Sequence, residues 1–84
     1  MLEQIRTLVA HIACTPINDV DANLNDCGVQ SIDMLRIVGS IETTMDVEFD
    51  ESHLTRENFT TVRMICELIA RIRSEDMHGS RADA

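Results

Sequence analysis

The segment 25–42, NDCGVQSIDMLRIVGSIE, places Ser31 three positions after Gly28 and at the start of an amphipathic run. A serine there has two uses. As a helix cap, its oxygen accepts an orphan backbone N–H. As a nucleophile, its hydroxyl receives a phosphate ester, which the free N–H groups and the dipole of a helix N-terminus stabilise. Gly28 permits a sharp turn just before it. Asp33, in the first turn, suits the helix dipole. On these residues alone both uses stay open.

Other candidate constellations are weaker. DVDANLNDCGVQ, residues 19–30, sets Asp19, Asp21 and Asn23 at the first, third and fifth ligand positions of a calcium loop. The sixth position then holds Leu24 where Gly is needed, and the twelfth holds Gln30 where a bidentate Glu is needed. Asx turns that stabilise a loop account better for these residues. His11, His53 and His78 fall in separate elements, with no His or Cys at metal-ligand spacing, so no metal site is expected. Neither a Cys–His nor a Ser–His–Asp arrangement follows from spacing. Cys27, just before Gly28, is either a reactive thiol or a small residue tucked inward. No acid–base pair is legible, so an enzyme is not expected.

The elements that must position Ser31 are helical. Leu2, Ile5, Leu8, Val9 and Ile12 give one apolar stripe over residues 2–14, ended by Pro16. A long loop rich in Asn and Asp follows, with Ile17, Val20, Leu24 and Val29 as its anchors. Residues 31–45 predict a second helix with Leu35, Val38, Ile41 and Met45 as the clearest buried stripe. Gly39 inside it costs about 1 kcal/mol against Ala, which a close helix approach would offset. LTRENF suggests a short third helix capped by Thr55. Residues 61–73 carry the strongest helical pattern, with Val62, Ile65, Cys66, Leu68, Ile69 and Ile72 on one face and Thr60 or Thr61 as cap. The expected fold is all-α: a small four-helix bundle, three main helices plus a short third one, with a long loop between helices 1 and 2. The expected domain spans 1–74, and residues 75–84 form an aperiodic tail, expected to be disordered.

Composition narrows the function classes. The chain has 84 residues and a net charge of −8. The stretch from Asp19 to Glu51 holds nine acids and one base, Arg36, and so carries that whole charge. Such a face repels nucleic-acid backbones and anionic membranes and attracts basic protein patches. With no Trp or Tyr and two Phe, the chain lacks stacking platforms for single-stranded nucleic acid. The three cysteines are widely spaced, and no stretch resembles a signal peptide or a membrane span. A reduced, cytoplasmic, monomeric protein is the expectation.

The order DCGVQSIDML resembles the modification site of acyl carrier proteins, D-L-G-x-D-S-L-[DE]. Asp26, Gly28, Ser31, Ile32 and Asp33 fall on that pattern, with Ile32 in place of Leu. FTTV, Phe59 to Val62, is similar to the I-T-T-V that introduces the family's fourth helix. LTRENFTTV is similar to L-T-x-E-N-F-x-[ST]-V of some free-standing carriers of secondary metabolism. The resemblance spans residues 2 to 73. Gln30 stands where fatty-acid carriers usually have Asp, and Arg36 replaces an acid on the exposed side of helix 2. Both suit a dedicated carrier of polyketide or nonribosomal peptide assembly.

The resemblance implies a non-catalytic carrier. The Ser31 hydroxyl would attack coenzyme A on a magnesium-using phosphopantetheinyl transferase, gaining a 4'-phosphopantetheine arm whose thiol holds acyl or aminoacyl cargo as a thioester. Gly28, Gln30, Ile32 and Asp33 would flank the arm. Partners would be that transferase, a loading ligase or acyltransferase, and downstream synthase or condensation enzymes. They would dock on Asp33, Glu42, Asp46 and Glu48, with Met34 or Ile37 as an apolar contact and Arg36 as a reversed-sign one. The alternative is an unmodified helical adaptor that binds a basic partner through its acidic face.

Overall fold

A computed structural model describes residues 1–77. Three α-helices form the frame: α1, Leu2–Ala13; α2, Ser31–Met45; and α3, Val62–Met77. Among the described residues there is no strand. In place of the expected short third helix stand two single 3₁₀ turns, Glu51–His53 and Glu57–Phe59. A 3₁₀ turn shows no 3.6-residue apolar period, so the sequence offered no stripe to distinguish it from a helix. The cap position of the second turn is Arg56 rather than the expected Thr55, although Thr55 Oγ1 accepts the Asn58 N–H at 3.2 Å. Thr61 caps α3, accepting from the Met64 N–H at 3.1 Å. Helix α3 runs three residues past the expected domain edge at 74, and residues 78–84 lie outside the described ones.

The core is aliphatic. Ile5 and Val9 of α1, Ile37 and Ile41 of α2, and Val62, Ile65, Leu68 and Ile69 of α3 are fully or almost fully buried together. Phe49 and Phe59 meet edge to face at 5.6 Å between ring centroids, which ties the two sides of the 3₁₀ region together. The buried stripe of α2 is Ile37, Ile41 and Met45. This corrects the expected register: Leu35 is 77 % exposed, Val38 is only partly covered and Ile37 is buried instead. Gly39 faces open space, so no close helix approach offsets its cost.

The long loop is held by its backbone and its anchors. Ile17, Leu24 and Val29 are buried as expected. Leu24 N–H donates to Thr60 O at 2.8 Å and Arg63 N–H to Val20 O at 3.0 Å, clamping the loop to the start of α3. The Arg63 guanidinium also pairs with Asp21 at 2.6 Å. Arg6 of α1 donates to Ile17 O at 2.7 Å. Asp19 and Asn23 each accept the N–H two residues on, at 2.9 Å, and so form Asx turns. These contacts fix where the loop delivers the chain into α2.

Candidate functional site

Helix α2 begins at Ser31, but the cap is Gln30, in extended geometry. The Asp33 carboxylate reaches back to accept the Gln30 N–H at 3.1 Å. It also accepts from Arg36 at 2.8 Å. The Gln30 N–H and then the Arg36 guanidinium hold the Asp33 carboxyl below its ordinary range, so it is ionised in the folded chain. The capping role open to Ser31 in the sequence thus falls to its neighbours. The Ser31 side chain is exposed at the first position of the helix.

Gly28 adopts φ +100°, a backbone region that side-chain-bearing residues avoid. Thr15 Oγ1 donates to Cys27 O at 2.9 Å and pins the turn from the α1 side. Cys27 is half-buried against the core. Cys66 is buried, and that burial pushes its thiol up, whereas Cys14 is exposed at the end of α1.

Beside Ser31 lies a groove of about 400 Å³ between the start of α2 and the segment 54–60. Ser31, Met34, Leu35 and Val38 line one wall, and Leu54, Arg56 and Phe59 the other. Ile32 is 67 % exposed, so the surface next to the hydroxyl has an apolar part beside the exposed Gln30. Sequence reasoning missed Leu35, Leu54 and Arg56. Leu35 had been assigned to the core, and the others sit in a segment with no period to orient them.

The expected docking residues separate into groups. Ile37 is fully buried and cannot touch a partner, because the helix turns it into the core. Met34 keeps part of its surface in the groove. Asp33 and Arg36 are paired with each other. Glu42 is half-buried, and its carboxylate accepts the Phe49 N–H at 3.0 Å. Asp46 and Glu48 are exposed. They lie near the far end of α2, about 22 Å along the axis from Ser31 at 1.5 Å per residue.

The family described as phosphopantetheine attachment site matches residues 3–69. The chain belongs to that family. It is a carrier protein domain, not itself catalytic, of a family that attaches 4'-phosphopantetheine covalently. No curated protein matches the sequence. Among solved structures, a chain in the complex of an engineered Bradyrhizobium japonicum glycine:[carrier protein] ligase with a carrier protein from Agrobacterium tumefaciens and AMP matches with a TM-score of 0.75 and 24% identity, over 83% of this chain and 99% of that one. A chain in the complex of the Bradyrhizobium japonicum ligase with glycylated carrier protein matches with a TM-score of 0.66 and 24% identity, over 80% of this chain and 90% of that one. At that identity the likeness shows the fold.

The residues fit the family's group. A phosphodiester needs an accessible oxygen and a helix N-terminus to face it. Ser31 is exposed at the N-terminus of α2, and the nearby Asp33 charge is offset by Arg36.

Proposed function

We propose that Ser31 carries the arm and that the chain delivers acyl or aminoacyl groups between enzymes of a polyketide, nonribosomal peptide or related pathway. One observation carries this reading: the exposed Ser31 hydroxyl stands at the first position of α2 while Gln30 and Asp33 close that turn. When bound, the arm supplies a thiol that holds cargo as a thioester.

The chain's own residues do the positioning. The turn that only glycine adopts without strain at Gly28 and the loop clamp to α3 present the hydroxyl at the start of α2. Exposed Ile32 and Leu35 give enzymes an apolar contact beside it. Tethering raises the effective concentration of cargo at each docked enzyme, so weak and brief docking suffices. The likeness to carrier chains crystallised with a glycine:[carrier protein] ligase supports a loading enzyme of the ligase type.

The test incubates the full chain with coenzyme A, magnesium and a promiscuous phosphopantetheinyl transferase, then measures intact mass. The wild type gains one arm and Ser31→Ala gains none. A wild type that stays unmodified favours the adaptor instead, and an arm on Ser31→Ala moves the attachment point elsewhere.

A further inference from the structure

The peptide unit between Cys27 and Gly28 is held at both ends. Its N–H, on Gly28, donates to Asn25 O at 3.1 Å. Its carbonyl, on Cys27, accepts from Thr15 Oγ1 at 2.9 Å, and among the described residues no other donor reaches that oxygen. The tilt of this one peptide plane sets the φ of Gly28, which stands at +100°. Val29 follows, buried, and Gln30 then caps α2 at Ser31. Rotating the plane would break the Asn25 and Thr15 bonds together.

Thr15 is fixed independently of the turn it holds. Its N–H donates to Ala10 O at 3.1 Å. Pro16 narrows its backbone freedom, and Ile17 beyond is fully buried. The hydroxyl is therefore a fixed point at the end of α1. Asn25 belongs to the turn and moves with it, so its bond cannot set the turn against the bundle. The loop clamp to α3 acts before the turn, through Val20 and Leu24, and the Gln30–Asp33 bond acts after it. We propose that Thr15 is a positioning residue for arm transfer: by locking the 27–28 peptide it holds the Ser31 hydroxyl in the pose a docked transferase needs. The proposal rests on attachment at Ser31. Thr15 acts on aim and not on docking, because the exposed Ile32 and Leu35 belong to α2 itself. A misaimed hydroxyl slows the step inside the docked complex and leaves the grip unchanged.

The test compares the full wild-type chain with Thr15→Val, which keeps the branched shape without the hydroxyl, and Thr15→Ser, which keeps the hydroxyl. Arm transfer is followed by intact mass in a single turnover, with coenzyme A saturating and a promiscuous phosphopantetheinyl transferase in excess at a series of concentrations. Thr15→Val lowers the maximal rate about three- to tenfold, the factor one neutral hydrogen bond contributes, with the half-saturating transferase concentration within about twofold of wild type. Thr15→Ser keeps a maximal rate within about twofold of wild type. In the unmodified chains, the amide-to-Hα couplings of Gly28, which report its φ, change in Thr15→Val and not in Thr15→Ser. An unchanged maximal rate in Thr15→Val, or an effect confined to half-saturation, overturns the proposal. So do Thr15→Ser as slow as Thr15→Val, and Gly28 couplings that stay the same throughout. Loss of the fold in Thr15→Val, read by circular dichroism, leaves Thr15 a purely structural role and overturns it too. A chain that gains no arm at Ser31 whatever stands at position 15 sinks the attachment instead, while the Gly28 couplings still decide whether Thr15 holds the turn.

Discussion

The Asp33 carboxylate accepts the Gln30 N–H at 3.1 Å and closes the first turn of α2 around Ser31 without using the serine hydroxyl. A helix cap and a modification site compete for the same atom whenever one serine serves both. Here the cap lies one residue earlier, so the hydroxyl can be esterified without unravelling the helix. Replacing Ser31 by Ala should therefore leave stability within about 0.5 kcal/mol in urea unfolding. A loss of 1 kcal/mol or more, the usual cost of a removed cap, would show that the hydroxyl holds the fold.

The same pair sets a pH response. Asp33 has a folded-state pKa lowered by the Gln30 N–H and by Arg36, so it contributes stability above its ordinary carboxylate range. That contribution is lost as pH falls through the lowered value. Asp21, held down by Arg63, and Asp50, held down by Ser52, act in the same direction. The thermal midpoint should fall between about pH 5 and pH 2, and Asp33→Asn should flatten part of that slope. An identical slope in Asp33→Asn would mean the cap interaction adds nothing to folding.

Helix α2 offers a test of register. Ile37→Ala opens a cavity in a fully buried position and should cost about 2–5 kcal/mol, enough to unfold much of a domain this small. Leu35→Ala, at a position 77 % exposed, should change stability by no more than about 0.5 kcal/mol while slowing arm transfer. The opposite ranking in chemical denaturation would restore the stripe suggested by the sequence.

Two glycines should respond with opposite signs. Gly39 is helical and faces open space, so Gly39→Ala should stabilise by up to about 1 kcal/mol. Gly28 has room for a Cβ, whose nearest neighbour would be Thr15 Oγ1 at 4.0 Å, but its φ of +100° is strained for any side chain. Gly28→Ala should cost about 1–3 kcal/mol. Urea midpoints of the pair separate crowding from backbone strain, because neither site is crowded.

The three long helices were legible because each buries a continuous apolar stripe, and Pro16 and Thr61 punctuate them. The candidate site was suggested by Gly28 and Ser31. The orientation of α2 was not legible, because it carries two apolar stripes. Ile32, Leu35 and Val38 form one, and Met34, Ile37, Ile41 and Met45 the other. Periodicity sees both and cannot tell core from an exposed contact surface. The 3₁₀ turns were not legible either, since Val47, Phe49 and Phe59 are buried from irregular backbone, placed by each other rather than by a local period.

That second stripe changes what the acidic face can do. Near Ser31 the exposed side chains include the apolar Ile32 and Leu35, and Asp33 is already paired with Arg36. Glu42 supports the chain at Phe49, so Glu42→Lys should destabilise the fold as well as alter charge. Of the acids expected to dock partners, those exposed and unpaired are Asp46 and Glu48, far from the hydroxyl. Charges at that distance speed encounter with a basic enzyme but do not hold the complex. The double variant Asp46→Lys with Glu48→Lys should lower kcat/KM for arm transfer by about tenfold at low salt, with kcat unchanged. At about 1 M salt, where screening acts within about 3 Å, the gap should close. Leu35→Ala should instead lower kcat/KM equally at both salt levels, because apolar contact is not screened. If the acidic variant stays impaired in high salt, Asp46 and Glu48 make direct contacts and the division between steering and gripping fails.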